Sequence, residues 1–513
     1  MNPKARQTIT RVIPLILAGL SVAWPVPAQG PSVTGQTPRD IPAHPRELKF
    51  PPLVFHPPKR EQYRHVLSTG TVAYLVEDHD LPLITVSVLV RVGEYLDPPG
   101  KEGLASLTGS QMRAGGAGNR TADEFDEAVD FLAAQISSFI TSTQGTAVLN
   151  CLAKDLDEAL GLFFDMLRNP RFQEDRLALA KSQILQQMER RNDSTATIES
   201  REWNRLIYGP DHFTNRYSTK ASIEAITRDD LVQFHRRYYH PGAFIFAVSG
   251  DFKTAEMIAK LEAGLRGWEV VRDPVPDVPR PTRTPTPGLY AVHKPDVNQG
   301  RVSIGHLGAM RDIPDYYALT IMNDILGGGG FTSRIMSRVR SDEGLAYSAG
   351  SNFGFGVYYP GTFRCFFQSK SATVAQAIEI VLEEINRIRT TLVSPEELET
   401  AKNYAIETFP RFFSTATQIA VTFAQDEFTR RPADFWQTYR DRIRAVTAED
   451  VRRVAEKYLH PDQLVILVVG NLDDILKGNP DRPQYSLTKL APGGQIQRIP
   501  LPDPLTMVYP KAP

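Results

Sequence analysis

An internal repeat constrains the fold of this chain more than any other feature of its sequence. The stretch Ile226–Pro241 recurs as Val446–Pro461, an offset of 220 residues, and both copies have a threonine second and His-Pro last. Each copy is followed by an apolar run that closes on glycine, Phe244–Gly250 and Leu464–Gly470. A capped amphipathic segment followed by such a run predicts a helix and then a strand. The sequence therefore predicts one domain built twice.

A proline-rich segment separates the two copies. Six prolines lie between Asp273 and Gly288, and their fixed φ and missing N–H exclude a helix and disfavour a sheet. We expect a signal peptide at 1–28, an extended proline-rich lead-in at 29–59, a first domain at 60–270, a linker at 271–288, a second domain at 289–475 and a tail at 476–513.

Strand and helix patterns alternate within each half. Alternating apolar residues mark strands at Leu83–Val92 and Gly300–Leu307, and a Thr-x-x-Glu capping box opens an amphipathic helix at Thr121. Helices and mostly antiparallel strands in one unit predict a layered α+β fold. Cys151 and Cys365 fall in corresponding strands of separate halves, so we expect two buried free thiols and no disulfide.

Charge and composition argue against several classes of function. Lys+Arg number 58 against Asp+Glu 59, a formal net charge of −1, which offers no basic surface for nucleic acid. The N-terminus has basic residues, then the apolar run Val12–Trp24, then small residues up to Ala28, which is the order of a secretory signal. We expect cleavage after Ala28 and an exported chain, periplasmic or secreted, with no membrane span after signal removal.

Two glycine-containing stretches carry a resemblance to a known family. Gly93–Ala105 and Leu326–Tyr347, together with the duplication and the order of elements, resemble the insulinase/pitrilysin family of zinc peptidases. The bacterial and mitochondrial-processing-type branch is most similar, over about residues 60–475. The resemblance implies two homologous layered α/β-sheet domains, duplicated metallopeptidase-like halves that face each other as a clam shell.

The zinc motif of that family is missing from this chain. Active members have an H-x-x-E-H helix after Gly-Leu-Ala, whereas here the two ligand positions hold Ser106 and Ser110 and the base position holds Gly109. The third ligand, a glutamate on a later helix, aligns with Gln187. Hydroxyl and amide groups are weak zinc ligands, and glycine accepts no proton. We therefore expect this chain to bind no zinc at these positions and no other cofactor.

The second half retains residues that the resemblance associates with substrate. Arg340 and Tyr347 match the family's Arg/Tyr pair, which holds the substrate main chain near zinc, and both side chains can donate to a carbonyl or an oxyanion. The glycines Gly328, Gly329 and Gly330 either form a turn or allow a substrate backbone to approach. Residues 135–143 correspond to the edge strand that pairs with extended substrates in the family, or are simply half-buried sheet.

These observations lead to three hypotheses. The first is a non-catalytic subunit that supplies Arg340 and Tyr347 to the zinc site of a homologous H-x-x-E-H partner, which acts on peptides or unfolded proteins. The second is a catalytically inactive peptide-binding or scaffold protein of the same fold. The third is an active peptidase whose site is not recognised in the sequence. In the first, zinc is expected in the partner subunit.

Overall fold

The computed structural model describes residue 48, residues 54–271 and residues 274–510. The predicted signal peptide and most of the lead-in lie outside these residues. Residues 55–513 form one compact unit that contains both halves. Within the part of the chain that the structure describes, no helix combines the length and the apolar content needed to cross a membrane.

Each half of the chain contributes one six-stranded mixed sheet. The first sheet has the order β1-β2-β6-β3-β5-β4, and the second has the order β14-β7-β13-β8-β12-β10. The strands of the first are β1 (Arg64–Val66), β2 (Val72–Glu77), β3 (Leu83–Val90), β4 (Gln135–Ile140), β5 (Gly145–Leu152) and β6 (Phe244–Gly250). Those of the second are β7 (Gly288–His293), β8 (Gln299–Leu307), β10 (Ala346–Phe353), β12 (Thr362–Lys370), β13 (Val465–Gly470) and β14 (Gln497–Arg498), and β9 (Ala309–Met310) pairs with β11 (Phe355–Gly356).

Helices occupy corresponding places in the two halves. The first half has α1 (Leu104–Ala114), α2 (Ala122–Phe131), α3 (Leu156–Arg168), α4 (Glu174–Glu189), α5 (Thr195–Tyr208), α6 (Lys220–Ala225), α7 (Arg228–Tyr238) and α8 (Thr254–Leu265). The remainder has α9 (Tyr316–Asn323), α10 (Arg334–Met336), α11 (Val374–Thr390), α12 (Pro395–Glu407), α13 (Ala416–Thr429), α14 (Phe435–Ala445), α15 (Ala448–Tyr458), α16 (Leu472–Lys477) and α17 (Leu487–Leu490), with π-helical turns at Asp324–Gly328 and Ser337–Asp342.

The sequence repeat is also a structural repeat. The repeated helices α7 and α15 begin after Thr227 and Thr447, and each threonine forms a capping box with an aspartate three residues later. In each half the strand that follows, β6 or β13, lies at the centre of the sheet, parallel to one neighbour and antiparallel to the other. The prediction of two homologous mixed α/β halves is confirmed.

Each half covers the sheet of the other with one of its own helices. Helix α5 of the first half buries Ile198 and Trp203 against Leu467 and its neighbours on the second sheet. Helix α13 of the second half packs on the first sheet, where the rings of Phe423 and Tyr74 lie 6.0 Å apart. Because this exchange is reciprocal, the apolar core of each half is completed by the other.

On each of the two exchanged helices a carboxylate bonds to the sheet of the other half; Glu199 is buried and Glu427 is partly buried. Glu199 on α5 accepts from Arg301 Nε at 2.8 Å, Arg364 Nη2 at 2.9 Å and Ser303 Oγ at 2.5 Å, all on the second sheet. Glu427 on α13 receives two parallel hydrogen bonds from Arg64 at 3.1 Å each. Charge-assisted hydrogen bonds of this kind add a defined geometry to the apolar contact between each helix and the sheet that it covers.

The C-terminal tail is part of the packed structure. After β14 pairs with β7, the Pro504 carbonyl accepts from Arg191 in the first half at 3.1 Å. The hydroxyl of Tyr509 then donates to Glu202 on α5 at 2.8 Å. The tail thus joins the second sheet to the first half, a role that its sequence pattern did not indicate.

Both cysteines have the environment that the sequence predicts. Cys151 on β5 and Cys365 on β12 are buried and free, and they occupy corresponding strands of the two sheets. Burial raises the pKa of the Cys151 thiol to about 11 and also raises the pKa of the Cys365 thiol, so neither position offers a reactive thiolate at neutral pH. The expectation of two buried free thiols is confirmed.

We predict that Glu199→Ala lowers the free energy of unfolding by about 2–4 kcal/mol, because it leaves two arginines without their carboxylate. The expected loss of unfolding free energy is smaller than for a fully buried ion pair, because Arg301 and Arg364 keep 32% and 28% of their side chains exposed. Urea titration followed by circular dichroism measures it. Thr197→Ala, at an exposed site on the same helix, is the control, and equal stability of the two variants would contradict the prediction.

Candidate functional site

The start of helix α1 is held by a buried carboxylate. Asp97 accepts hydrogen bonds from the backbone N–H of Gly103 at 2.8 Å and of Ala105 at 2.7 Å. Gly103 has φ 105°, in the left-handed region, so the turn into the helix requires glycine. Asp97 is 6% exposed, and burial raises its pKa to about 7. Asp97 was not predicted as a site residue from the sequence, although it lies within the glycine-containing stretch before the helix.

A cavity of about 440 Å³ lies beside this helix start. Two of the four degenerate zinc positions, Ser106 on α1 and Gln187 on α4, line it together, whereas Gly109 and Ser110 do not. The remaining lining residues are Glu94, Asp97, Glu102, Gly103, Ser142, Ile184, Met188, Arg191, Phe213, Thr214, Arg216, Tyr217, Ser218 and Ile223. The cavity is therefore formed by the first half alone.

The position of the family's catalytic base is closed by packing. Gly109 lies against the edge strand β4, and a Cβ added there would be 2.6 Å from the backbone nitrogen of Ile140. Next to it, the Ser110 hydroxyl donates within the helix to the Leu107 carbonyl at 3.1 Å. A glutamate side chain at position 109 would require the helix and the strand to separate.

The residues present do not fit a zinc ion. Ser106, Ser110 and Gln187 offer hydroxyl and amide oxygens, which are poor ligands beside imidazole, thiolate and carboxylate. Among the residues that the structure describes, no group of three or more His, Cys, Asp or Glu side chains is arranged to hold a metal ion. The chemistry of these donors argues against a metal at the degenerate motif.

The second half has the same arrangement at the matching place. There the π-helical turn after α9 brings Gly327 against edge strand β10, and a Cβ on Gly327 would collide with the backbone nitrogen of Ser351. In both halves a glycine on the helical segment before the edge strand thus permits close contact with that strand. At this position the first half packs in the same way as the half that carries no zinc motif.

The edge of β4 is partly covered within the chain. Alternate residues of an antiparallel edge strand turn their backbone groups away from the sheet. The Thr141 N–H donates inward, to the carbonyl of Gln144. The backbone groups of Ile140 and of Ile136, which lie at alternate positions, therefore point outward. Arg113 Nε donates to the outward carbonyl of Ile136 at 3.1 Å, and Gly109 covers the nitrogen of Ile140. These contacts favour the reading of 135–143 as half-buried sheet over a peptide-binding edge.

Arg340 and Tyr347 meet on the surface of the second half. The guanidinium carbon of Arg340 lies 4.7 Å from the ring centroid of Tyr347 and 4.5 Å from that of Phe331. The two aromatic side chains are 83% and 65% exposed. Within the described part of the chain the guanidinium forms no ion pair and no hydrogen bond, so its N–H donors are available to a ligand. Phe331 was not predicted, although it follows the glycine run directly.

The glycine run before Phe331 has a structural explanation in part. Gly330 has φ 62°, in the left-handed region, and a Cβ added there would meet no other atom. Only its backbone conformation therefore favours glycine. Gly328 and Gly329 approach the preceding turn, where a Cβ would meet Asn323 and Asp324 respectively. Neither the Arg340 and Tyr347 pair nor these glycines line the cavity of the first half. The two sets of predicted residues therefore form separate sites.

Two family models match the chain. The model described as "Insulinase (Peptidase family M16)" matches residues 72–205, and the model described as "Peptidase M16 inactive domain" matches residues 225–404. Together the matches cover more than half of the chain. The chain belongs to the insulinase family, peptidase family M16.

Individual relatives agree with this assignment. A Helicobacter pylori protein described as "Non-peptidase homolog YmxG" is 22% identical over 398 residues, which cover 77% of this chain and 90% of that protein. A probable mitochondrial-processing peptidase subunit beta from Arabidopsis thaliana is 22% identical, over 76% of this chain and 75% of that protein.

A solved structure shows the same fold. The structure described as a peptidase M16 inactive domain from Pseudomonas fluorescens has a TM-score of 0.71 at 24% identity and covers 79% of this chain and 97% of that chain. The resemblance inferred from the sequence is confirmed. In the M16 chain described here, the zinc-ligand and base positions of the family's motif hold Ser106, Ser110, Gln187 and Gly109.

We predict that Gly109→Ala destabilises this M16 chain although it adds helix propensity. Propensity alone would raise the free energy of unfolding by about 1 kcal/mol, whereas overpacking against β4 should lower it by about 1–3 kcal/mol. The expected net change is therefore a loss, measured by urea denaturation. Ser110→Ala, on the exposed side of the same helix, is the control. A stabilised Gly109→Ala variant would show that α1 and β4 can separate.

Asp97 should give the stability a pH dependence of defined sign. Because burial raises its pKa from 3.8 to about 7, the folded state retains a proton that the unfolded state releases between these values. The contribution of Asp97 to the free energy of unfolding therefore falls as the pH rises through this range.

The difference in unfolding free energy between wild type and Asp97→Asn isolates this contribution. We expect the difference to decrease from about pH 4 to about pH 7, because the asparagine does not titrate. Urea titrations at each pH measure it. A difference that grows over this range would contradict a raised pKa.

Proposed function

We propose that this M16 chain is the exported, non-catalytic subunit of a zinc peptidase and supplies Arg340 and Tyr347 to the zinc site of an H-x-x-E-H partner subunit. One observation carries the proposal. The Arg340 guanidinium is held by two exposed aromatic rings, and no carboxylate in the described part of the chain pairs with it. An arginine with its donors free is suited to a group on another molecule.

The chemistry of the pair suits a peptide main chain. Contact with the rings of Phe331 and Tyr347 positions the guanidinium and leaves its N–H donors unused. The Tyr347 hydroxyl adds a second donor on the same exposed surface. Two donors of this kind can bind a peptide carbonyl and stabilise the oxyanion that develops during hydrolysis.

The separation of the two sites supports action in trans. The cavity at the degenerate motif is lined only by residues between 94 and 223, whereas the pair lies in the second half. The donor chemistry at that cavity does not suit zinc, so in this proposal the pair serves a metal carried by another chain. A relative described as a subunit of a mitochondrial-processing peptidase supports an assembly of this type.

The test is hydrolysis of an unfolded protein by the mature chain mixed with an H-x-x-E-H homologue from the same source. We expect activity only in the mixture, with zinc in the partner. Arg340→Ala should lower kcat of the mixture by about 10²–10³, and Tyr347→Phe, which keeps the ring and removes the donor, by about tenfold or more. Size-exclusion chromatography should show unchanged assembly.

Arg452→Ala is the matched control, since Arg452 is an exposed arginine on α15 in the same half. This variant should retain full activity in the mixture. Full activity of Arg340→Ala would refute the proposed role of the pair. Zinc and chelator-sensitive activity in the chain alone would refute the non-catalytic assignment.

A second candidate function is peptide binding or scaffolding without hydrolysis. The exposed surface of Phe331, Arg340 and Tyr347 favours it, because such a surface can bind an extended peptide without a metal. This function predicts a stable assembly or peptide complex that shows no hydrolysis even beside the zinc-bearing homologue. The mixing experiment therefore distinguishes the two functions.

A further inference from the structure

Another cavity lies where three segments of the chain meet. It has a volume of about 330 Å³ and is lined by the C-terminal part of α5 with the turn after it, by residues 283–286 of the linker, and by residues 497–499 of the tail. Tyr290 on β7 also forms part of the wall. None of the degenerate motif positions lines this cavity, and neither do Arg340 and Tyr347. It is therefore separate from both sites described above.

The wall of this cavity carries an excess of positive charge. The arginines that line it are Arg205, Arg283 and Arg498. The lining includes one carboxylate, Glu202, which is buried and already accepts from Arg201 Nε at 2.8 Å and from the Tyr509 hydroxyl at 2.8 Å. Because Glu202 is shared with a fourth arginine outside the cavity, it does not balance the three on the wall.

The three guanidinium groups differ in how they are held. Arg205 is positioned over the ring of Tyr509, its guanidinium carbon 3.7 Å from the ring centroid, and its Nη1 lies 3.9 Å from Glu202. Arg283 pairs with Asp211 at 2.8 Å, but both side chains are exposed, and ion pairs of that kind contribute little.

Arg498 has no partner of its own. Its exposed side chain forms no ion pair and no hydrogen bond with any residue that the structure describes. Like charges that share one wall repel one another, and a bound anion relieves that repulsion. A guanidinium with free N–H donors is also suited to a carboxylate, which it can bind through two parallel hydrogen bonds.

The rest of the wall is largely apolar. The Tyr290 hydroxyl already donates to the Thr286 carbonyl at 3.0 Å, so this residue offers the cavity its ring. The aliphatic and proline side chains that line the cavity are Leu206, Ile207, Pro210, Pro285 and Ile499. A volume of about 330 Å³ is near the lower end of the range for small-molecule sites. An inorganic anion would leave this apolar surface without a partner, whereas a ligand with an apolar body would cover it.

We propose that this cavity binds a small amphipathic carboxylate, its carboxylate at Arg205 and Arg498 and its hydrocarbon body against the apolar wall. Medium-chain fatty acids have this chemistry. The ligand supplies the missing negative charge and removes apolar surface from water. The site goes beyond the proposed subunit function, since it uses neither Arg340 nor Tyr347 and needs no partner.

The experiment is isothermal titration calorimetry of the full mature chain alone with octanoate. We expect saturable binding at one site. Octan-1-ol lacks the charge and acetate lacks the apolar body, so each should bind at least about tenfold more weakly. Inorganic phosphate should also bind more weakly than octanoate, because it cannot cover the apolar wall.

A charge variant tests the role of the arginines. Arg498→Gln should weaken binding of octanoate about tenfold and leave the weak binding of octan-1-ol unaffected, because only the carboxylate uses the guanidinium. Arg498 is exposed and has no partner in the described part of the chain, so the variant should fold normally. Arg452→Gln, at an exposed arginine of α15 outside the cavity, is the matched control and should bind octanoate normally.

A second variant locates the site by filling it. Thr284→Trp, at an exposed linker position that lines the cavity, should abolish binding of octanoate. Thr282→Trp, two residues earlier in the linker and outside the cavity, is its control and should bind normally.

Four results would each overturn the proposal. They are no saturable binding of octanoate, equal binding of octan-1-ol, unchanged octanoate binding by both Arg498→Gln and Thr284→Trp, and tighter binding of inorganic phosphate than of octanoate. The last would make the cavity a site for inorganic anions. Since no partner and no hydrolysis are involved, these outcomes are distinct from failure of the proposed subunit function.

Discussion

The structure depends on a reciprocal exchange of helices between its two halves. Helix α5 of the first half covers the second sheet, and α13 of the second half covers the first. A sheet that is covered by its partner's helix cannot retain its buried apolar surface when the halves separate. The carboxylates Glu199 and Glu427 give each crossing a defined position, and the tail adds a third connection through Arg191. Both candidate sites lie on this common framework.

The degenerate zinc motif of this M16 chain differs from the family's motif in its packing as well as in its residues. With no side chain at Gly109, α1 rests on the backbone of β4, just as Gly327 rests on β10 in the half that has no zinc motif. Arg113 then covers the outward carbonyl of Ile136. A side chain at position 109 would therefore require α1 and β4 to move apart, because a Cβ there would meet the backbone of Ile140.

Much of the fold and part of the candidate site could be predicted from the sequence. The repeat, the capped helices and the four altered positions are local patterns, and local patterns are visible in a linear sequence. Asp97, Arg113 and Phe331 were missed because their roles depend on side-chain contacts that no periodic pattern in the sequence marks. Asp97 meets a helix start six to eight residues away, and Arg113 meets a strand 23 residues away. The tail was also missed, since its backbone bonds join segments about 200 residues or more apart and leave no periodic pattern.

The sequence by itself determined the duplication, the family and the absence of the zinc ligands. Residue identity and spacing are sufficient for these, because a histidine or glutamate that is missing from a motif cannot be supplied by folding. Only the tertiary structure decided that Ser106 and Gln187 share a cavity, that Gly109 is closed against β4, and that Arg340 lies between two exposed rings. These features depend on how helices pack on sheets, and packing is set by contacts between residues that are far apart in the chain.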